Sequence, residues 1–139
     1  RNHFNAAAEL GDDPEILLGL AKVGFEEEEK KGRRADLDRV ATDLQRAMDA
    51  KKYFPEAQEF YGRLNLWNYL VDGAQGAFVE AEKQLKRLKR PIPEILAFYD
   101  RVIDRFESVK RRRLRRKTRR LARQWKQRKQ QYMQSLLPS

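Results

Sequence analysis

Between positions 110 and 129 the chain sets 13 basic side chains in 20 residues: Lys110, Arg111, Arg112, Arg113, Arg115, Arg116, Lys117, Arg119, Arg120, Arg123, Lys126, Arg128 and Lys129. Nine of the 13 are arginine. A guanidinium is a planar fork that grips a phosphate through two parallel hydrogen bonds and stacks on a base, whereas an ammonium is a point charge. The chemistry available to such a run is the holding of a polyanion, not the breaking of a bond. On a helix, Arg111–Arg115, Arg112–Arg116, Arg113–Lys117, Arg115–Arg119 and Arg116–Arg120 stand four apart, and each pair repels by about 0.2–0.5 kcal/mol. A solvated helix face normally mixes signs so that such neighbours attract. This one does not, which calls for an anion from elsewhere.

The 139-residue chain carries a net charge of +10, and that total hides a segregation. No acid follows Glu107, so all 21 acids lie in residues 1–109, which carry −3, while residues 110–139 carry +13. With cations on every side, the segment suits a deep RNA groove, or a position between nucleic-acid segments, better than a flat surface. RNA is the expected partner because arginine-rich helices commonly order on structured RNA, and duplex DNA is a second possibility. A membrane partner is not expected, since residues 110–129 offer only Leu114, Leu121, Ala122 and Trp125 as an apolar face. Taken at 100° per residue, Leu96, Ile103, Leu121, Trp125, Tyr132 and Leu136 lie within about 40° of a line through Leu114. Two readings of Trp125 and Tyr132 stay open: packing on the body or on another protein, or stacking on bases at about 1–3 kcal/mol each. The uncharged stretch of residues 130–139 reads as an apolar docking tail.

Other chemistry finds no residues to carry it. Cysteine is absent, which removes disulfides, thiolate metal sites and thiol nucleophiles. The one histidine, His3, cannot form a cluster. Asp12 with Asp13, the glutamates at 26–29, and Asp36 with Asp38 are explained by helix capping and i,i+4 pairing. Asp100, Asp104 and Glu107 form an acidic edge that could meet a divalent cation, but a solvated mixed-charge face beside Arg101 and Arg105 explains it more simply. Ser108 and Ser135 have no base within sequence reach, and no glycine-rich phosphate loop exists. The expectation is a non-enzyme with no metal, cofactor or small-molecule substrate. No apolar run approaches the ~18 residues of a membrane span, and an intracellular location, cytoplasmic or nuclear, is expected.

Helices must position the basic run, because no strand pattern is present. Gly11 and Asp13-Pro14 mark an end and a restart, with Asp13 as N-cap and Pro14 at the first helical position. Ile16, Leu17, Leu20, Ala21 and Gly24 share one side of the helix that follows, which ends at Gly32. Asp36 can cap a second helix striped by Leu37, Val40, Ala41, Leu44, Ala47 and Met48. Pro55-Glu56 opens a third, with Asp72-Gly73 as the next turn signal. Ala74, Ala77, Phe78, Ala81, Leu85 and Leu88 form the most regular stripe. After Pro91-Ile92-Pro93 no Pro or Gly occurs from Glu94 to Leu137, so one helix of about 66 Å is expected there, part of it projecting.

Three helices open alike, at Pro14-Glu15, Pro55-Glu56 and Pro93-Glu94, so helix pairs recur at intervals of 41 and 38 residues. Gly62, Ala74, Phe78 and Ala81 have the small, small, aromatic and small spacing of a tetratricopeptide repeat, which residues 55–88 resemble. The resemblance implies two closely packed antiparallel helices, and a plain helical hairpin would ask for the same small residues.

The expected fold is all-α: stacked antiparallel helical hairpins over residues 1–92, then a long projecting basic C-terminal helix over 93–139 whose first half packs on them. Phe60, Tyr61, Leu64, Trp67, Phe78, Leu85, Ile95, Tyr99, Val102, Ile103 and Phe106 form the expected core. The expected function is that of a non-catalytic RNA-binding subunit or assembly factor of a larger ribonucleoprotein, docking other protein subunits through its helical body. The alternatives are a helical-repeat scaffold whose basic arm is a localisation signal or binds an acidic protein, and a small DNA- or RNA-holding subunit of a nucleoprotein machine.

Overall fold

Three Pro-Glu pairs set three helix starts. In the computed structural model, which describes residues 13–32 and 37–138, each pair lies in the first turn of a helix. Proline forfeits no hydrogen bond there, and a glutamate favours the positive helix end. The Asp13 carboxylate accepts hydrogen bonds from the Glu15 and Ile16 amides at 2.9 and 3.2 Å, so its role as N-cap is observed. The described residues form six α-helices and no strand: α1 Pro14–Glu29, α2 Asp38–Ala50, α3 Pro55–Trp67, α4 Val71–Arg87, α5 Ile92–Glu107 and α6 Arg115–Ser135. The fold is all-α. His3, Gly11, Asp12 and the cap assigned to Asp36 lie outside the described residues.

The chain divides into two compact units between Tyr61 and Gly62, within α3. In the first unit α1 and α2 run antiparallel, with Lys51 Nζ 3.0 Å from Glu15 Oε1. Leu17, Leu18, Ala21 and Phe25 are buried with Val40, Leu44 and Ala47. The buried face of α1 is thus turned from the expected one: Ile16 is exposed, and Leu18 and Phe25 take its place. Phe25 meets Phe60 edge-on at 5.6 Å, an anchor that the spacing of smaller residues did not suggest.

The second unit is built around aromatic rings. α4, α5 and α6 enclose Phe78, Phe98, Tyr99, Phe106 and Trp125, each fully buried. Trp125 is the hub. Its ring lies 6.5 Å from Phe78, 5.9 Å from Phe98 and 6.0 Å from Tyr99. Phe78 also meets Phe106 edge-on at 5.5 Å. Gly62 faces Phe78 so closely that a Cβ on it would lie 2.4 Å from the ring. Most of the expected core is buried, but Tyr61 is exposed and Trp67 half-buried.

The single long helix over 94–137 does not form. α5 ends at Glu107, residues 108–111 are non-helical, and a 3-10 turn at Arg112–Leu114 leads into α6. α6 folds back antiparallel to α5, so it does not project. No Pro or Gly marks the break, and burial explains it. A projecting α6 would leave Leu121, Ala122 and Trp125 in water. Burying the tryptophan alone removes roughly 150–250 Å² from solvent, a gross gain of about 4–6 kcal/mol. The like-charge pairs across residues 110–116 add little resistance to breaking the helix there.

Candidate nucleic-acid interface

The folded-back α6 sorts the 13 cations into two groups. Towards its C-terminal end they meet acids of α4 and α5. Lys126 Nζ lies 2.9 Å from Glu107 Oε2, and Lys129 Nζ lies 2.7 Å from Asp100 Oδ1. Arg128 pairs with Glu82 through two guanidinium nitrogens, the Nε bond being 3.1 Å. Lys117, nearer the N-terminus, lies 2.7 Å from Asp72 Oδ1. The acidic edge on α5 is thereby partly occupied by the basic helix itself.

Glu82 is the best-organised of these acids. It is 5% exposed and accepts from Arg128 and from the Tyr99 hydroxyl, with Lys86 Nζ at 3.4 Å. Burial alone would raise its carboxyl pKa, but the bonds from Arg128 and Tyr99 and the two nearby cations hold it below the ordinary glutamate value. Burial, and then the Glu82 carboxylate, push the Tyr99 phenol up. Arg128 also stands 4.8 Å over the Trp125 ring. This cluster ties α4, α5 and α6 together; all its buried polar atoms have partners.

Eight cations remain with no carboxylate partner among the described residues: Lys110, Arg112, Arg113, Arg115, Arg116, Arg119, Arg120 and Arg123, and all are exposed. They occupy the α5–α6 connection and the first turns of α6. On the helix, Arg115, Arg116, Arg119, Arg120 and Arg123 span an arc of about 140° opposite the buried residues, over a rise of about 12 Å. The expectation of charge on every side is therefore corrected: the buried stripe of Thr118, Leu121, Ala122 and Trp125 confines the free cations of α6 itself to one face. The α6 N-terminus has no side-chain cap, and the positive end of the helix dipole lies at the same end.

Comparison with protein-family models, curated proteins and solved structures finds no match.

Arg111, exposed as well, stands 4.5 Å over the ring of Tyr69, at the end of α3. Tyr69, Arg111, Arg113 and Leu114 line an open hollow beside the free arginines. The sequence reading missed Tyr69, and also missed Glu82 and Gln75 as partners of the basic helix. Of the two aromatic candidates, Trp125 is fully enclosed and donates from Nε1 to Gln75 Oε1 at 2.7 Å, so its ring faces no solvent and meets no base. Tyr132 is half-buried, 5.8 Å from Tyr99 with Lys86 Nζ 5.3 Å over its ring. In the tail, Met133, Leu136 and Leu137 are exposed. No described helix is long and apolar enough to cross a membrane, and no three metal-ligating side chains converge among the described residues.

Proposed function

We propose that this protein binds nucleic acid, RNA before DNA, by seating phosphates on the arginine face at the N-terminal end of α6. Its role is that of a non-catalytic subunit or assembly factor of a larger ribonucleoprotein, with the helical body and the exposed tail residues Met133, Leu136 and Leu137 available to protein neighbours. The observation that carries the reading is the split within the basic run. Where α6 lies along acids of α4 and α5, its cations are neutralised; where it does not, eight stand together in solvent. Five of them lie on α6 over a rise of about 12 Å, a length over which a duplex carries about seven phosphate charges. Guanidinium groups on a rigid helix present their forks with less loss of side-chain freedom than a disordered tail would.

The test replaces Arg116, Arg119, Arg120 and Arg123 with Gln, which preserves helix propensity and touches no buried residue. Binding to a structured RNA hairpin and to a DNA duplex is measured at two or more salt concentrations. The wild-type protein is expected to bind, with affinity falling steeply as salt rises. The quadruple variant is expected to lose at least tenfold in affinity and roughly three units of the log–log salt slope, at about 0.7–0.9 per phosphate contact. An unchanged slope would refute the assignment.

A further inference from the structure

We infer that the hollow formed by Tyr69, Arg111, Arg113 and Leu114 is a stacking site for one unpaired nucleobase, so that the arginine face holds a single strand or an open loop in preference to uninterrupted duplex. The inference rests on the nucleic-acid reading above and deepens it.

The first observation is a backbone one. The Leu70 amide donates to the Asn65 carbonyl at 2.8 Å and the Tyr69 amide to the Leu66 carbonyl at 3.0 Å, closing α3 in a Schellman motif. The residue at the left-handed position of that motif is usually glycine. Here it is Tyr69, at φ 61°. A bulky residue in that region is an outlier with a conformational penalty, and such penalties concentrate where a side chain has a task. α4 closes in the same way with Lys89 at φ 53°, but Lys89 is exposed and lies at the opposite end of α4.

The second observation is where the tyrosine stands. Its ring carries the Arg111 guanidinium at 4.5 Å, and Leu114 supplies an apolar wall. Aromatic rings and guanidinium planes are the two surfaces on which unpaired bases stack. The hollow holds about 290 Å³, at the small end of ligand pockets, which suits one ring system and not an extended ligand. Arg113 lines the hollow, and Arg115 and Arg116 follow directly in the chain as candidates for the flanking phosphates. Bases inside a duplex are already stacked on each other and cannot enter without being flipped out.

The test uses the full chain with two probes, a 12-nucleotide oligouridylate and a 12-base-pair blunt RNA duplex. Tyr69→Gly relieves the left-handed strain, Tyr69→Phe keeps the ring, and Lys89→Gly relieves the matching strain at the other helix end. Expected are a loss of about tenfold for Tyr69→Gly on the single strand with an unchanged salt slope, no loss on the duplex, and wild-type binding for Tyr69→Phe and Lys89→Gly. Circular dichroism melting should show Tyr69→Gly folded. If the wild type binds the strand and Tyr69→Gly binds it equally well, the stacking site is refuted while the phosphate-binding face stands. If Tyr69→Gly weakens both probes alike, the base-specific role is refuted. If the wild type binds neither probe at low salt, both readings fall.

Discussion

Single side chains decide how far the basic run is free. Glu82 is the clearest case, since its buried carboxylate accepts from both Arg128 and Tyr99. Its folded pKa lies below the unfolded value of about 4.5. The stability it contributes is therefore fully present above pH 4.5 and is lost as pH falls through the lower folded pKa. Glu82→Gln is expected to lower stability at neutral pH by about 2 kcal/mol, the scale of a charge-assisted hydrogen bond. It should also flatten the acid limb of a stability–pH profile measured by urea unfolding. Glycines give a second contrast. Gly62→Ala drives a Cβ into the Phe78 ring, and Phe78 has no room to yield, so a loss of about 1–3 kcal/mol is expected. Gly76 meets nothing within 4 Å, so Gly76→Ala in mid-α4 should gain about 0.5–1 kcal/mol by thermal melting.

At the scale of elements, the Pro-Glu helix starts, the Asp13 cap and the stripe of α4 were all legible, because each depends on residues adjacent in sequence or one turn apart. Two things were not. The break after Glu107 carries no breaker residue; it exists because Trp125 finds more burial against Phe78 and Phe98 than along a projecting helix, and that comparison needs the partner helices. Asp72-Gly73 carries the turn signal after α3, yet both residues lie in the first turn of α4. The residue that takes the left-handed conformation is Tyr69, a type that gives no turn signal. For the candidate site the composition of residues 110–129 sufficed to select the arginines. Which of them are neutralised was hidden, because Asp72, Glu82, Asp100 and Glu107 are 19 to 46 positions away from their cations. Removing residues 110–139 is consequently not a clean loss of charge. It strips Leu121, Ala122 and Trp125 from the second unit, and we expect such a truncation to expose Phe78, Phe98 and Tyr99, to lose its near-ultraviolet dichroism and to self-associate on size exclusion.

For the whole molecule, the sequence summary of an acidic body and a basic arm becomes a different picture. The basic segment is part scaffold and part exposed, uncompensated charge. Its last turns complete the core of the second unit and commit Lys126, Arg128 and Lys129 to intramolecular pairs. Nearer the N-terminus only Lys117 is paired, with Asp72, and the eight unpaired cations keep their charge. A protein with cations balanced along α6 would have been more stable as an isolated domain by a few tenths of a kcal/mol per relieved pair.

That uneven neutralisation gives the second unit a permanent electric moment along α6, its positive pole at the Arg112–Leu114 turn. A polyanion that binds as proposed would feel a torque before any contact and would meet that pole first. Ionic strength should therefore act mainly on the rate of encounter, slowing association by far more than it hastens release.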